Sequence, residues 1–133
     1  MTMDAIHLEA SDDTPSINLD VLDNKFEIAG RSLPENTLEF YQPVIDWLTE
    51  YARRPNYYTI FSFKLSYFSS ASSRAFFDII MILKDIHASG KSKVEVNWHY
   101  MENDDDTRDA GLDFERAIGI PFKHLLFHDR TMP

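Results

Sequence analysis

The sequence predicts a mixed α/β domain, on the border with α+β. The expected architecture is a sheet of four to five strands with helices mainly on one face. Two observations carry this. Segments of alternating apolar and polar residues interchange along the chain with segments whose apolar residues recur every three to four positions. The two clearest strand segments alternate rather than running continuously apolar, as they would if helices covered both faces. The element order reads β-β-α-β-α-β-α, followed by a segment, 122–127, that fits either a last strand or an apolar docking segment.

Each element has its own signal. Residues 1–14 are polar, acidic and without period, and are expected to form a mobile leader. Ile17, Leu19 and Val21 alternate with Asn18 and Asp20. After the turn-forming Leu22-Asp23-Asn24, Phe26 and Ile28 alternate with Glu27, and Gly30 closes the hairpin. In 32–54, Asn36 with Glu39 suits an N-cap and its reciprocal partner. Leu38, Tyr41, Val44, Ile45, Leu48 and Ala52 then follow at helical spacing. Pro43 predicts a bend or a late helix start, Arg53 and Arg54 suit a helix C-terminus, and Pro55 ends the element.

In 57–68, Tyr57, Thr59, Phe61, Phe63, Leu65 and Tyr67 share one face, opposite Ser62, Lys64 and Ser66. Ser69 to Ser73 then opens a helix carrying Phe76, Phe77, Ile79, Ile80, Leu83 and Ile86, stopped by Gly90. Val94, Val96, Trp98 and Tyr100 form the inner face of the next strand. Lys93, Glu95, Asn97 and His99 form its outer face. The acidic loop from Glu102 to Asp106 leads into a short helix with Asp106 as N-cap, Ala110, Phe114 and Ala117 as buried stripe and Gly119 as stop. The middle strand-helix-strand unit is expected to be a right-handed parallel crossover. The boundaries are then a leader at 1–14, one domain at 15–128 and a tail at 129–133. Trp47 and Trp98 are expected in the core or at its rim.

Composition narrows the function. The 133 residues suffice for one hydrophobic core. The chain has no cysteine, which removes disulfides, thiolate metal sites and a cysteine nucleophile. Its net charge of -9, from 22 acidic and 13 basic side chains, disfavours nucleic acid and anionic membranes. No apolar run is long enough to span a bilayer, and the N-terminus lacks the charge and apolar pattern of a signal peptide. A cytoplasmic location is expected. His7, His87, His99, His124 and His128 show no zinc spacing. The acidic run Asp104-Asp105-Asp106 fails the EF-hand pattern, so no metal is expected. Phosphate-binding glycine motifs, a nucleophile elbow and an acid–base carboxylate pair are missing, and no cofactor or catalytic residue is assigned.

The serine cluster is the most informative feature. Serines cap helices well, and that alone accounts for a cluster at a helix start. A phosphorylated hydroxyl at the same place would set about two negative charges against the positive helix end. Arg74, in the first turn, could pair with it. The acidic loop should share that end of the sheet. Asn97, His99, Asp104, Asp105 and Asp106 are candidates for partner contact, and the outer sheet face is left to water or to a partner.

Several segments resemble the SiaC-type regulatory phosphoproteins of bacteria. These are Ser32-Leu33-Pro34-Glu35-Asn36 with Val44-Ile45-Asp46-Trp47-Leu48, then Tyr67-Phe68-Ser69-Ser70-Ala71-Ser72 with Ala75-Phe76-Phe77-Asp78, then Val96-Asn97-Trp98-His99-Tyr100. The likeness covers roughly 14–127. It implies a STAS-like architecture, similar to anti-sigma-factor antagonists, and no enzymatic activity. It further implies partner switching. A dedicated kinase phosphorylates one hydroxyl, a PP2C-type phosphatase removes the phosphate, and the unmodified form activates a diguanylate cyclase, raising cyclic di-GMP and promoting biofilm formation. The family motif Asn-Thr-Ser-Ser, with Thr as acceptor, falls on Ser69, Ser70, Ala71 and Ser72. Ser70 is the carried-over acceptor, and the departures from the motif leave Ser69 and Ser72 as alternatives. An anti-sigma antagonist using the same switch, and a small-ligand-binding module using the acidic loop, His99 and the polar sheet face, are the competing readings. A monomer that forms hetero-complexes is expected.

Overall fold

Alternation along the chain builds one sheet, and helical phase fixes what covers it. The computed structural model describes residues 3–127, which form six strands and three helices. In chain order these are β1 (Ile6–Leu8), β2 (Ser16–Asp20), β3 (Lys25–Ser32), α1 (Thr37–Tyr51), β4 (Tyr58–Phe68), α2 (Ser70–Ala88), β5 (Lys93–Met101), α3 (Asp105–Ile118) and β6 (Phe122–Phe127). The strands lie side by side in chain order. β1, β2 and β3 pair antiparallel, and β3, β4, β5 and β6 pair parallel.

Each of the three parallel connections steps to the next strand in the same direction. With right-handed crossovers, successive steps of that kind put all three helices on one side. α2 accordingly packs between α1 and α3. The inner row of the sheet is fully buried: Ile17, Leu19, Ile28, Phe61, Phe63, Val96 and Trp98. α2 answers it with Phe76, Ile79, Ile80 and Leu83, spaced so that one stripe meets the sheet. Each such side chain contributes on the order of 1.5–3 kcal/mol by leaving water. Aromatic rings knit the layers, with Phe63 5.4 Å from Phe76 and 5.3 Å from Trp98 between centroids. Trp98 is in the core and Trp47 at its edge, as expected.

The uncovered face is polar and internally paired. Lys64 Nζ lies 2.8 Å from Glu27 Oε1, and Lys123 Nζ lies 3.5 Å from Glu95 Oε1. His99 stands beside Lys64, and burial, then the Lys64 charge, hold its imidazole below the usual histidine range against the opposing pull of Glu27.

Several expectations need correction. The sheet has six strands, not four to five, because 122–127 is a strand and because residues 1–14 supply another. Within the segment expected to be a mobile leader, β1 pairs with β2, His7 Nδ1 is 2.9 Å from Asn18 Oδ1, and Trp47 Nε1 donates to the Asp4 carbonyl at 2.7 Å. A three-residue strand has too few positions to alternate visibly. α1 begins at Thr37 and runs through Pro43, and its expected stripe residue Leu38 is 81% exposed. α3 is capped by Asp104, not Asp106: Asp104 Oδ1 accepts the Thr107 amide at 3.0 Å. Its buried stripe is Thr107, Gly111, Phe114 and Ile118, and Ala117 is exposed. Finally, Tyr67 does not share the inner face of β4. The expected tail 129–133 and the domain's expected end at His128 lie outside the described residues.

Candidate functional site

The displaced Tyr67 marks where the site begins. Along β3 and β4, Gly30 pairs with Leu65, but the next residue, Arg31, pairs with Tyr67. Ser66 is the extra residue of a bulge, and its Oγ donates to the Gly30 carbonyl at 3.3 Å. One added residue exchanges the faces of everything beyond it. Phe68 therefore turns to the core, 5.4 Å from Phe76 between centroids, while Tyr67 turns out and takes the Arg31 guanidinium over its ring at 5.5 Å.

The chain then passes directly into α2. Ser69 is the N-cap: its Oγ accepts the Ser72 amide at 3.1 Å, and its own amide donates to the Ser32 carbonyl at 3.0 Å. Ser70, the first helical residue, is exposed. First-turn amides have no intrahelical acceptor, so this end of α2 offers donors and positive potential. Ser72 is buried with no exposure. Its Oγ donates to the Ser32 carbonyl at 3.0 Å and is 2.7 Å from Ser32 Oγ. Ser69 Oγ donates to Ser72 Oγ at 3.1 Å, and Ser32 Oγ bonds Tyr41 Oη. The result is a buried chain of hydroxyls joining β3, α1 and the start of α2. Burial pushes the Tyr41 phenol well above its ordinary range, and the bonds to Ser32 and Ser72 oppose that only in part.

Ser70 opens onto a cavity of about 350 Å³ whose walls include Tyr67, Ser69, Ser73, Asp104 and Asp106. The acidic loop therefore does share the serine end of the sheet. Asp105 points elsewhere, 3.3 Å from Arg108. Arg74 does not line this cavity. It lies 3.6 Å from Asp78 and borders a separate cleft of about 170 Å³ between α1 and α2, with the exposed Leu38 on its wall. Asn97 and His99 lie on the outer sheet face, away from Ser70. Asn97 Oδ1 is buried there without a hydrogen-bond partner among the described residues.

Sequence reasoning missed Arg31, Tyr67 and Ser32. A signal existed for Ser72: carried back one turn, the phase of Ala75, Phe76 and Ile79 places Ser72 on the buried stripe. No signal existed for Ser66, since bulges leave no pattern of their own in a single sequence. Among the described residues, no group of three His, Asp or Glu side chains is placed to hold a metal. No described helix is long and apolar enough to cross a membrane.

The site is thus a helix-start hydroxyl, that of Ser70, exposed beside Asp104 and Asp106 at one end of a one-sided α/β sheet, with Ser69 as the helix cap and Ser72 locked in the core. The chain belongs to the SiaC family of regulatory phosphoproteins, whose family description matches residues 8–127. This makes it a regulatory protein and not an enzyme. It is 27% identical over 120 residues to a protein of Pseudomonas aeruginosa strain UCBPP-PA14, covering 90% of this chain and 94% of that one. It is similar to apo-SiaC of P. aeruginosa, with a TM-score of 0.82 and 26% identity over 92% of this chain and 99% of that chain. It also resembles SiaC solved in complex with the diguanylate cyclase SiaD, of which that SiaC is the activator. There the TM-score is 0.84 and the identity 25%, over 92% and 99% of the two chains.

Proposed function

We propose that this protein is a cytoplasmic partner-switching regulator whose switch is the hydroxyl of Ser70. A cognate kinase phosphorylates Ser70 and a PP2C-type phosphatase restores it. The unmodified form binds and activates a diguanylate cyclase, as its P. aeruginosa relative activates SiaD, and so controls cyclic di-GMP-dependent aggregation. The chain acts as a monomer that forms hetero-complexes.

One observation carries the choice of residue. Of the three candidate hydroxyls, only that of Ser70 is exposed at the open cavity and outside the buried hydroxyl chain. Ser72 is fully buried and Ser69 holds the cap. A phosphate on Ser70 meets the helix N-terminus, which favours it, and faces Asp104 and Asp106, which do not. The change is confined to surface charge, so the fold survives while a partner's contact is altered. Asp104 and Asp106 belong to this switch surface. Asn97 and His99 form a second candidate contact on the outer sheet face.

Incubation with the kinase and ATP, followed by intact mass measurement, tests the reading. Addition of one phosphate to the parent chain and none to Ser70→Ala is expected. Phosphate on Ser70→Ala at the parent's level would exclude Ser70.

A further inference from the structure

We propose that Arg31, and not Arg74, is the cation that reads a phosphate on Ser70. The inference rests on Ser70 being the acceptor and adds the residue that senses the modified state. Arg31 is paired with Tyr67 in the sheet, and its guanidinium lies over the Tyr67 ring, a wall of the Ser70 cavity. The following pair is Ser32 and Phe68, and the Ser32 carbonyl receives the Ser69 amide. Arg31 therefore stands one pair below the start of α2, on the side to which the Ser66 bulge turned Tyr67.

Its present restraints are weak. The guanidinium has a π face and one bond, Nε to the Asp12 carbonyl at 3.3 Å, and among the described residues no carboxylate pairs with it. Arg74 is already paired with Asp78 and borders the cleft on the other flank of α2. The remaining charges facing the cavity are Asp104 and Asp106, from the start of α3. A phosphate dianion introduced opposite two carboxylates needs a counter-charge. A guanidinium offers a donor fork that matches phosphate oxygens. Release of the Arg31 guanidinium from the ring toward the phosphate supplies it. It also uncovers the face of Tyr67, which is 48% exposed even beneath the guanidinium. Phosphorylation thus changes a partner-facing surface twice, by adding charge and by exchanging a cation-capped ring for a bare one.

The test uses the full chain with phosphoserine installed at position 70 during translation, followed by ³¹P NMR through a pH titration. The second phosphate pKa is ordinarily about 6. The parent is expected to titrate below Arg31→Gln by about half a unit or more, and together with Arg74→Gln. Coincident titration of the parent and Arg31→Gln, or a shift in Arg74→Gln instead, would overturn the proposal. A measurement on the parent sequence alone serves if Arg31→Gln fails to fold. The Arg31 Nε–H resonance is expected to move between the unmodified and phosphoserine forms, and an unmoved resonance counts against the assignment. Because no kinase is used, a kinase that ignores Ser70 would count against the acceptor and not against Arg31.

Discussion

Ser69, Ser70 and Ser72 sit within one helical turn and have three different fates. Ser69 caps, Ser70 faces the cavity, and Ser72 is locked among Ser32 and Tyr41. Substitution should separate them. Ser72→Ala leaves Ser32 short of a partner in a buried network and should cost about 1–3 kcal/mol. Ser70→Ala touches exposed surface and should stay within about 0.5 kcal/mol of the parent. Urea midpoints of the two variants check this, and equal midpoints would contradict the burial argument. Gly111 faces the Trp98 indole so closely that a Cβ there would overlap the ring. Gly111→Ala should therefore destabilise by about 1–3 kcal/mol, with an altered Trp98 emission. At this scale the sequence was partly legible. The cluster announced a helix start, because serine is a good cap, and helical phase was enough to bury Ser72. Arg31 was invisible, because its place beside Tyr67 depends on a parallel pairing and on the bulge at Ser66.

Elements were the most legible level, and the exceptions have physical reasons. Asn36 and Glu39 announced the start of α1: Asn36 Oδ1 accepts the Glu39 amide at 3.1 Å, and Asn36 Nδ2 reaches Glu39 Oε2 at 3.3 Å. Three consecutive aspartates gave no means of choosing the cap of α3, and the structure chooses Asp104. Asp104→Ala should cost about 1 kcal/mol and Asp104→Asn much less, since asparagine caps as well as aspartate. Thermal unfolding of the pair checks the assignment. β1 escaped notice because its order comes from β2 and Trp47, not from its own pattern. β6 was ambiguous, and its junction with α3 is fastened by Glu115, whose Oε1 is 2.8 Å from His124 Nε2 and whose Oε2 accepts the Phe122 amide at 3.0 Å. Burial alone would raise this carboxyl, but the bonds from His124 and Phe122 and the His124 charge together hold it below the usual range. A carboxylate whose folded pKa is lowered contributes stability that is full above its unfolded pKa, about 4.3. That stability is lost as pH falls through the lower folded value. Glu115→Gln should therefore flatten the acid limb of the stability profile below pH ~4.5. An acid limb as steep as the parent's would show that Glu115 does not contribute to it.

For the whole molecule, the alternation of Phe61, Phe63, Val96 and Trp98 with polar residues announced a sheet covered on one side. Three successive parallel steps make that arrangement unavoidable under right-handed crossovers. The covered side supplies stability, and the serine end of α2 is where a charge can change without touching it. The net charge of -9 acquires a location in this arrangement, since Asp104 and Asp106 face the hydroxyl that would be modified. Added phosphate there deepens a negative field that a partner must meet. Partner identity was never legible from local pattern, because docking chemistry is spread over residues that only the fold assembles. The partner proposed for this chain is taken from its P. aeruginosa relative, the activator of SiaD.

The most direct measurement is the affinity of the cognate diguanylate cyclase for the unmodified chain and for the chain phosphorylated at Ser70, read together with cyclic di-GMP synthesis. The unmodified form should bind and raise synthesis, and the phosphorylated form should bind at least about tenfold more weakly, a difference of about 1.4 kcal/mol, and leave synthesis at its basal rate. Equal affinity and equal activation by the two forms would contradict the switch.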